Sequence, residues 1–172
     1  MKQLLILSGK GGTGKTTIAG AFIKFNDIKA FADCDVDAPN LHMIVELGSP
    51  QKTSSFYGLK KAVIDSQKCV KCGLCEKFCR FDAIKNCNIE EFGCEGCGVC
   101  TIVCPSKAIT MEDNSSGDII LYKNEHNVFS TAKLKMGSGA SGKLVSAVKK
   151  QLTEESKEKI AIVDGSPGIG CP

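Results

Sequence analysis

The chain has 172 residues, of which 42% are hydrophobic and 24% charged, with a formal net charge of +3. That length buries one real core and at most a small satellite domain, and the charge is too small and too widely spread over lysines to point to nucleic acid. No stretch is long and apolar enough to cross a bilayer. Met1-Lys2-Gln3 leads into only a short apolar run, Leu4 to Leu7, too brief for a secretory core, so the eleven cysteines are expected as thiolates holding metal in a reducing cytoplasm.

A short, continuous apolar run followed by glycines predicts a buried parallel strand over Gln3 to Leu7. After it, Gly9-Lys10-Gly11-Gly12-Thr13-Gly14-Lys15-Thr16 satisfies the P-loop pattern, in which glycines let backbone N–H groups approach phosphate oxygens with no Cβ in the way. A helix then starts. Ile18, Ala21, Phe22 and Phe25 fall at i, i+3, i+4 and i+7, predicting an apolar face against the sheet and a positive helix end aimed at phosphates. Lys15 would reach the β- and γ-phosphates and the Thr16 hydroxyl would ligate Mg2+. Lys29 to Ala32 read as a second strand, delivering Asp33-Cys34-Asp35, while Asp37 and Asn40 read as turn and cap formers. The polar stretch Gly48 to Ser55 reads as a linker.

Eight of the cysteines form two copies of Cys-x2-Cys-x2-Cys-x3-Cys, the second displaced by 25 residues, from Cys69 to Cys94. Cys69, Cys72, Cys75 and Cys79 map onto Cys94, Cys97, Cys100 and Cys104, Gly73 onto Gly98, and Ala83-Ile84 onto Ala108-Ile109, an internal duplication. A thiolate every third residue lets one tight loop wrap three corners of an iron–sulfur cube, with the fourth corner supplied from a distance. Structural zinc would leave thiols of these triplets unused, and a disulfide framework needs an oxidising compartment. In the two-cluster ferredoxin pattern, which the tandem resembles, the distant ligand comes from the other half. That pattern assigns one [4Fe-4S] cluster to Cys69, Cys72, Cys75 and Cys104, and a second to Cys94, Cys97, Cys100 and Cys79. Pro105 after Cys104 fits it; Arg80 after Cys79 departs from it.

Beyond the tandem, Asn114-Ser115-Ser116-Gly117 reads as a matching exit linker. Gly137 to Gly142 matches G-x-G-x-x-G ahead of a helix carrying Leu144, Val145, Val148 and Leu152, but a lone match is common in connectors, and the segment reads as a mobile loop and helix start. Lys159 to Val163 is a buried strand with Asp164 at its end, followed by Gly165-Ser166-Pro167-Gly168. Open α/β sheets gather ligands at the C-terminal ends of their strands, so Gly9 to Thr16, Asp35 and Asp164 are expected to converge. Cys34, Cys87 and Cys171 fall outside both quartets. Cys34 and Cys171 read as small packing residues, and a spare thiol near a cluster is one reading of Cys87. His42 and His126 have no partners at catalytic spacing, so a hydrolytic triad is unsupported.

Lys10, an additional lysine inside the glycine loop, is the deviant signature of the MinD/ParA class of ATPases. The whole chain resembles MinD superfamily P-loop ATPases that carry an inserted ferredoxin domain, relatives of the Mrp-type iron–sulfur proteins. The resemblance implies an α/β fold: a P-loop NTPase parallel sheet in two parts, 1–64 and 113–172, interrupted by a ferredoxin-like α+β insert over 65–112. Ala62 to Ile64 and Ala108 to Thr110 would be the outer strands of the cluster-binding fold. By the same resemblance Lys10 reaches the nucleotide of a facing subunit, Asp35 orients the attacking water, and Asp33 lies near the Mg2+ shell. Asp164, at the Walker B position, holds Mg2+ through water, and Gly168 senses the γ-phosphate. Lys10, Lys15 and Asp35 are thus the expected catalytic residues of an ATPase, and Gly9 to Thr17, Asp164 and Gly168 the nucleotide-binding ones.

Two [4Fe-4S] clusters, ATP and Mg2+ are the implied cofactors. Members of the family continue past Gly168-Ile169-Gly170-Cys171-Pro172, so a truncated sheet with an open edge next to the Walker B strand is expected, inviting a homodimer or a second chain. The leading expectation is nucleotide-driven dimerisation gating electron transfer to a redox partner. The alternative is a carrier passing clusters to an apo-protein, as the Mrp-like resemblance implies. A MinD/ParA-like positioning switch comes third, because no amphipathic C-terminal helix or basic surface is visible. No nucleic-acid or membrane partner is expected, and the expected location is the cytoplasm.

Overall fold

In the computed structural model, which describes residues 1–90 and 92–168, the elements run β1 (Lys2–Ser8), α1 (Lys15–Phe25), β2 (Ala30–Asp33), β3 (Lys52–Tyr57), β4 (Lys61–Ile64), α2 (Leu74–Lys77), β5 (Ile84–Lys85), β6 (Asn88–Ile89), α3 (Val99–Val103), β7 (Ile109–Glu112), β8 (Ser115–Lys123), β9 (Val128–Leu134), α4 (Ser141–Glu155) and β10 (Ile160–Pro167). Six strands form one sheet in the order β1-β10-β2-β9-β8-β3. The pairs β1–β10, β10–β2 and β2–β9 are parallel and β9–β8 is antiparallel. This is a mixed α/β sheet, mostly parallel, accompanied by two small antiparallel pairs, β4–β7 and β5–β6.

The chain divides into two units. The first comprises residues 1–56, 117–135 and the described residues from Ala140 onward; the second comprises Tyr57–Ser116 and Met136–Gly139. In the first, a period of two sorts strand residues onto opposite faces. Ala30, Ala32, Ala161 and Val163 face α4, whose Leu144, Val145, Val148 and Leu152 are buried at helical spacing. Phe31 and Ile162 face the other way and pack with Phe129, Ala19, Ile23 and Leu41. Cys34 is buried in the first of these clusters as a packing residue, and burial pushes its thiol up to about 12. Cys171 lies outside the described residues.

Several elements differ from the sequence expectation. β1 is present, but it is the end strand of the sheet and is not buried: Leu4, Leu5 and Leu7 are exposed. Among the described residues β1 and β3 are the two end strands of this sheet, and β1 lies beside β10, which carries Asp164. α1 turns a different face to the sheet. Ala19, Gly20 and Ile23 are buried, while Ile18, Phe22 and Phe25 are exposed. Close packing decides this, because a Cβ at Gly20 would stand 2.5 Å from Ile44 Cδ1. Both stretches read as linkers contain strand: Lys52 to Ser55 lie in β3 and Ser115 to Gly117 in β8. The Gly137 segment is packed rather than free, since a Cβ at Gly137 would meet the Phe92 ring at 2.5 Å.

In the second unit β4 pairs antiparallel with β7, Ile64 opposite Ile109. Its core is small: Ala62, Ile84 and Ile109 with Cys75 and Cys100.

Candidate functional site

The sequence duplication reappears as a structural one. α2 and α3 both begin after a glycine in the left-handed region, Gly73 at φ 73° and Gly98 at φ 76°, where a side chain would be strained. Ala83 N–H donates to Cys79 Sγ and Ala108 N–H to Cys104 Sγ, each at 3.3 Å. The halves interlock. Cys69, Cys72 and Cys75 surround one pocket together with Cys104, while Cys94, Cys97 and Cys100 surround another together with Cys79. Exposure repeats too: the middle loop cysteines Cys72 and Cys97 are exposed, Cys75 and Cys100 are buried, and the other four are half-buried.

All ten described cysteines are free thiols. Burial and the neighbouring sulfurs push Cys75 and Cys100 up, whereas the Ser106 hydroxyl and the Ala108 N–H hold Cys104 down. Among the described residues, no three His, Cys, Asp or Glu side chains converge as ligands of a single ion. The sulfurs stand around a space instead. A four-iron cube needs that arrangement, with thiolates at its corners and backbone N–H groups on the sulfurs, so the donor set fits the group.

In the first unit, register brings three strand ends together: Asp164 of β10 lies opposite Ile6 of β1 and Asp33 of β2. The loop between β1 and α1 rises over this edge. A cavity of about 340 Å3 is lined by Gly11 to Thr17, Asp35, Ser8, Asn40 and Pro167. Behind it, Lys15 Nζ donates to Asp164 Oδ1 at 2.5 Å, both side chains buried. Asp164 Oδ2 is buried with no hydrogen-bond partner, and a Cβ at Gly9, Gly11, Gly12 or Gly14 would project into open space. An unpaired carboxylate oxygen, a buried ammonium and an open glycine turn at a helix start fit a polyanion with its cation.

Asp33 works differently. Its carboxylate accepts the N–H of Asp35 at 3.0 Å and those of Asn40 and Leu41 at 2.9 Å, clamping the loop that carries Asp35. Burial raises its carboxyl above the ordinary range despite these three bonds, and burial raises Asp35 against the pull of Lys15. Asn40 precedes the 3-10 turn Leu41–Met43 but makes no side-chain cap; Asp33 supplies the acceptor instead. Lys10 is exposed and does not line the cavity, its carbonyl accepting the hydroxyls of Ser8 and Thr13. Gly168 N–H donates to Ser8 O at 2.9 Å, tying the ends of β10 and β1. Ser8 and Pro167 are not singled out by the sequence, and their one signal is position at the ends of β1 and β10; Asn40, read as a cap former, lines the cavity instead.

Comparison with known proteins bears on the cysteine unit. Residues 62–85 match the 4Fe-4S binding domain family. The chain carries a 4Fe-4S binding element. It is also 35% identical over 175 aligned positions to an uncharacterised protein of Methanocaldococcus jannaschii, a match covering 99% of this chain and 61% of that one. The chain thus spans less than two thirds of the length of that relative. Among the described residues no helix is long and apolar enough to cross a membrane.

Proposed function

We propose that this is an ATP-binding iron–sulfur protein of the MinD type, in which nucleotide-dependent dimerisation is coupled to electron transfer through two [4Fe-4S] clusters. The observation that carries the reading is the crossed distribution of sulfurs, with Cys104 in the pocket of the first triplet and Cys79 in that of the second. When bound, the cubes supply one-electron chemistry, and Mg2+ with ATP supplies the energy of phosphate hydrolysis.

The chain's own groups do the rest. Cys69, Cys72, Cys75 and Cys104 hold one cluster; Cys94, Cys97, Cys100 and Cys79 hold the other. Exposed Cys72 and Cys97 mark the corners nearest an electron acceptor. The loop Gly9 to Thr17 turns N–H groups to the phosphates, and Lys15 exchanges its Asp164 partner for a phosphate oxygen. That exchange frees Asp164, whose Oδ2 already lacks a partner, to hold the Mg2+ shell with Thr16. Asp33 keeps the Asp35 loop folded, and Asp35 orients the attacking water. Lys10 reaches the nucleotide of a facing subunit, a role supported by its being exposed and outside the cavity of its own chain. β1, an end strand of the sheet among the described residues, offers a seam for that subunit or for a second chain.

The same exposed cysteines favour a second reading, a carrier that hands a cluster to an apo-protein. Retention distinguishes the two. Anaerobically reconstituted protein is expected to hold about eight irons and matching sulfide per chain and to keep them when mixed with an apo-acceptor. Rapid transfer would favour the carrier, and zinc without sulfide would defeat both. Lys15→Ala is expected to abolish nucleotide binding with the iron content unchanged.

A further inference from the structure

The first cluster pocket holds five cysteines. Cys87 lines it beside Cys69, Cys72, Cys75 and Cys104, and Cys87 and Cys69 together line a second, open cleft as well. Among the described residues the second pocket has no such member: its lining cysteines are its own quartet, and the position 25 residues after Cys87 is Glu112. The duplication therefore supplies its own control.

Backbone conformation makes the fifth thiol costly. Asn86 and Cys87 form the two-residue loop between β5 and β6, and both have positive φ, 51° and 59°. Such a loop strongly favours Asn-Gly, because the second position sits in the left-handed region where a Cβ is strained. Here cysteine stands where glycine would be easier. Strain retained at one position points to a role for that side chain. The loop is also pinned, since Asn86 N–H donates to Glu76 Oε2 at 3.0 Å. Next to it an open cleft of about 450 Å3, lined by Cys69, Cys87, Lys71, Ser66, Asn86 and Asn88, gives solvent access to this pair of sulfurs.

Resting on the two-cluster reading above, we infer that Cys87 is a reserve ligand of the first cluster, exchanging with Cys69 at a single iron. The Cys69 sulfur–iron bond breaks, a Cys87 sulfur–iron bond forms, and the Cys87 thiol proton passes to the departing Cys69 sulfur within the pocket they share. Charge and oxidation state are unchanged, and no further reactant is needed. One corner of this cluster is thereby open to exchange; the second cluster has none.

Iron and acid-labile sulfide per chain test the exchange in Cys69→Ala, its counterpart Cys94→Ala, and Cys69→Ala combined with Cys87→Gly. Glycine relaxes the turn, so the combined variant removes the thiol without straining the hairpin. Cys69→Ala is expected to keep about eight irons, while Cys94→Ala and the double variant fall to about four. Loss in Cys69→Ala equal to that in Cys94→Ala overturns the exchange while leaving two clusters in the wild type. A wild-type chain without sulfide sinks the cluster reading itself and this inference with it. Should Cys69→Ala not fold, alkylation of the intact loaded protein decides. Partial labelling of both Cys69 and Cys87, with Cys72, Cys75 and Cys104 protected, is the expected pattern. Labelling of Cys87 with Cys69 fully protected is the contrary one.

Discussion

In the first unit Phe31, Phe129 and Leu41 are fully buried on one side of the sheet and Leu144, Val148 and Leu152 on the other, whereas the core of the second unit has Ala62, Ile84 and Ile109 around Cys75 and Cys100, with Ile64, Ile89 and Met111 only partly buried against them. Large apolar side chains stabilise one body through area removed from water. The other has too little such surface, and its interior is built of metal donors. The contrast teaches where each unit gets its fold: one from its own side chains, the other from what its cysteines bind.

Iron removal is the largest test. Chelation under reducing conditions is expected to unfold the second unit, seen as loss of slow amide exchange over residues 57–116, while α4 and β10 keep theirs. Loss in both units together would break the contrast. Next comes Phe129→Ala, which empties the space beside the Phe31 ring, 5.2 Å away between centroids. It is expected to cost about 3–5 kcal/mol in denaturant unfolding of the first unit, with iron content unaltered. Asp33→Ala should cost less, about 1–3 kcal/mol, because it strands the buried Leu41 N–H. It should also raise proteolysis around residues 35–41.

The smallest effect lies at Lys123, which donates to the Glu155 carboxylate at 2.9 Å. This pairing lowers the Glu155 carboxyl below its ordinary 4.5, so its contribution is present above that value and lost as pH falls through the lowered one. Lys123→Ala should lower the melting temperature of the first unit slightly at neutral pH, the difference closing on the acid side of 4.5. A larger shift would give surface charge a part in the first unit that its core leaves little room for.

The cysteine spacing was legible because its information is local: three thiols on one loop and a repeat that copies Gly73 and Ala83 along with them. The convergence of Lys15 and Asp164 was legible for a different reason, since parallel strands deliver their C-terminal residues to one edge. The face of α1 was not. Ile18, Phe22 and Phe25 keep helical spacing as well as Ala19, Gly20 and Ile23 do, and only the Ile44 side chain lying over Gly20 decides between them. β3 and β8 were hidden because Lys52-Thr53-Ser54-Ser55 and Ser115-Ser116-Gly117 are polar residues at the end of a sheet that pairs strands remote in sequence. The clamp made by Asp33 was not legible either, because its three bonds to backbone N–H groups span residues 35–41, a contact that no short motif encodes.

The crossing of Cys79 and Cys104 also constrains how the cysteine segment can change over time. Neither copy is self-sufficient, since deleting residues 69–79 would leave the opposite pocket with three sulfurs, and deleting 94–104 would do the same in reverse. As binding units the two copies are therefore one inseparable piece, each pocket completed by the other copy's last cysteine. A lone asymmetry such as the thiol in the β5–β6 turn therefore alters one copy while the other holds the frame.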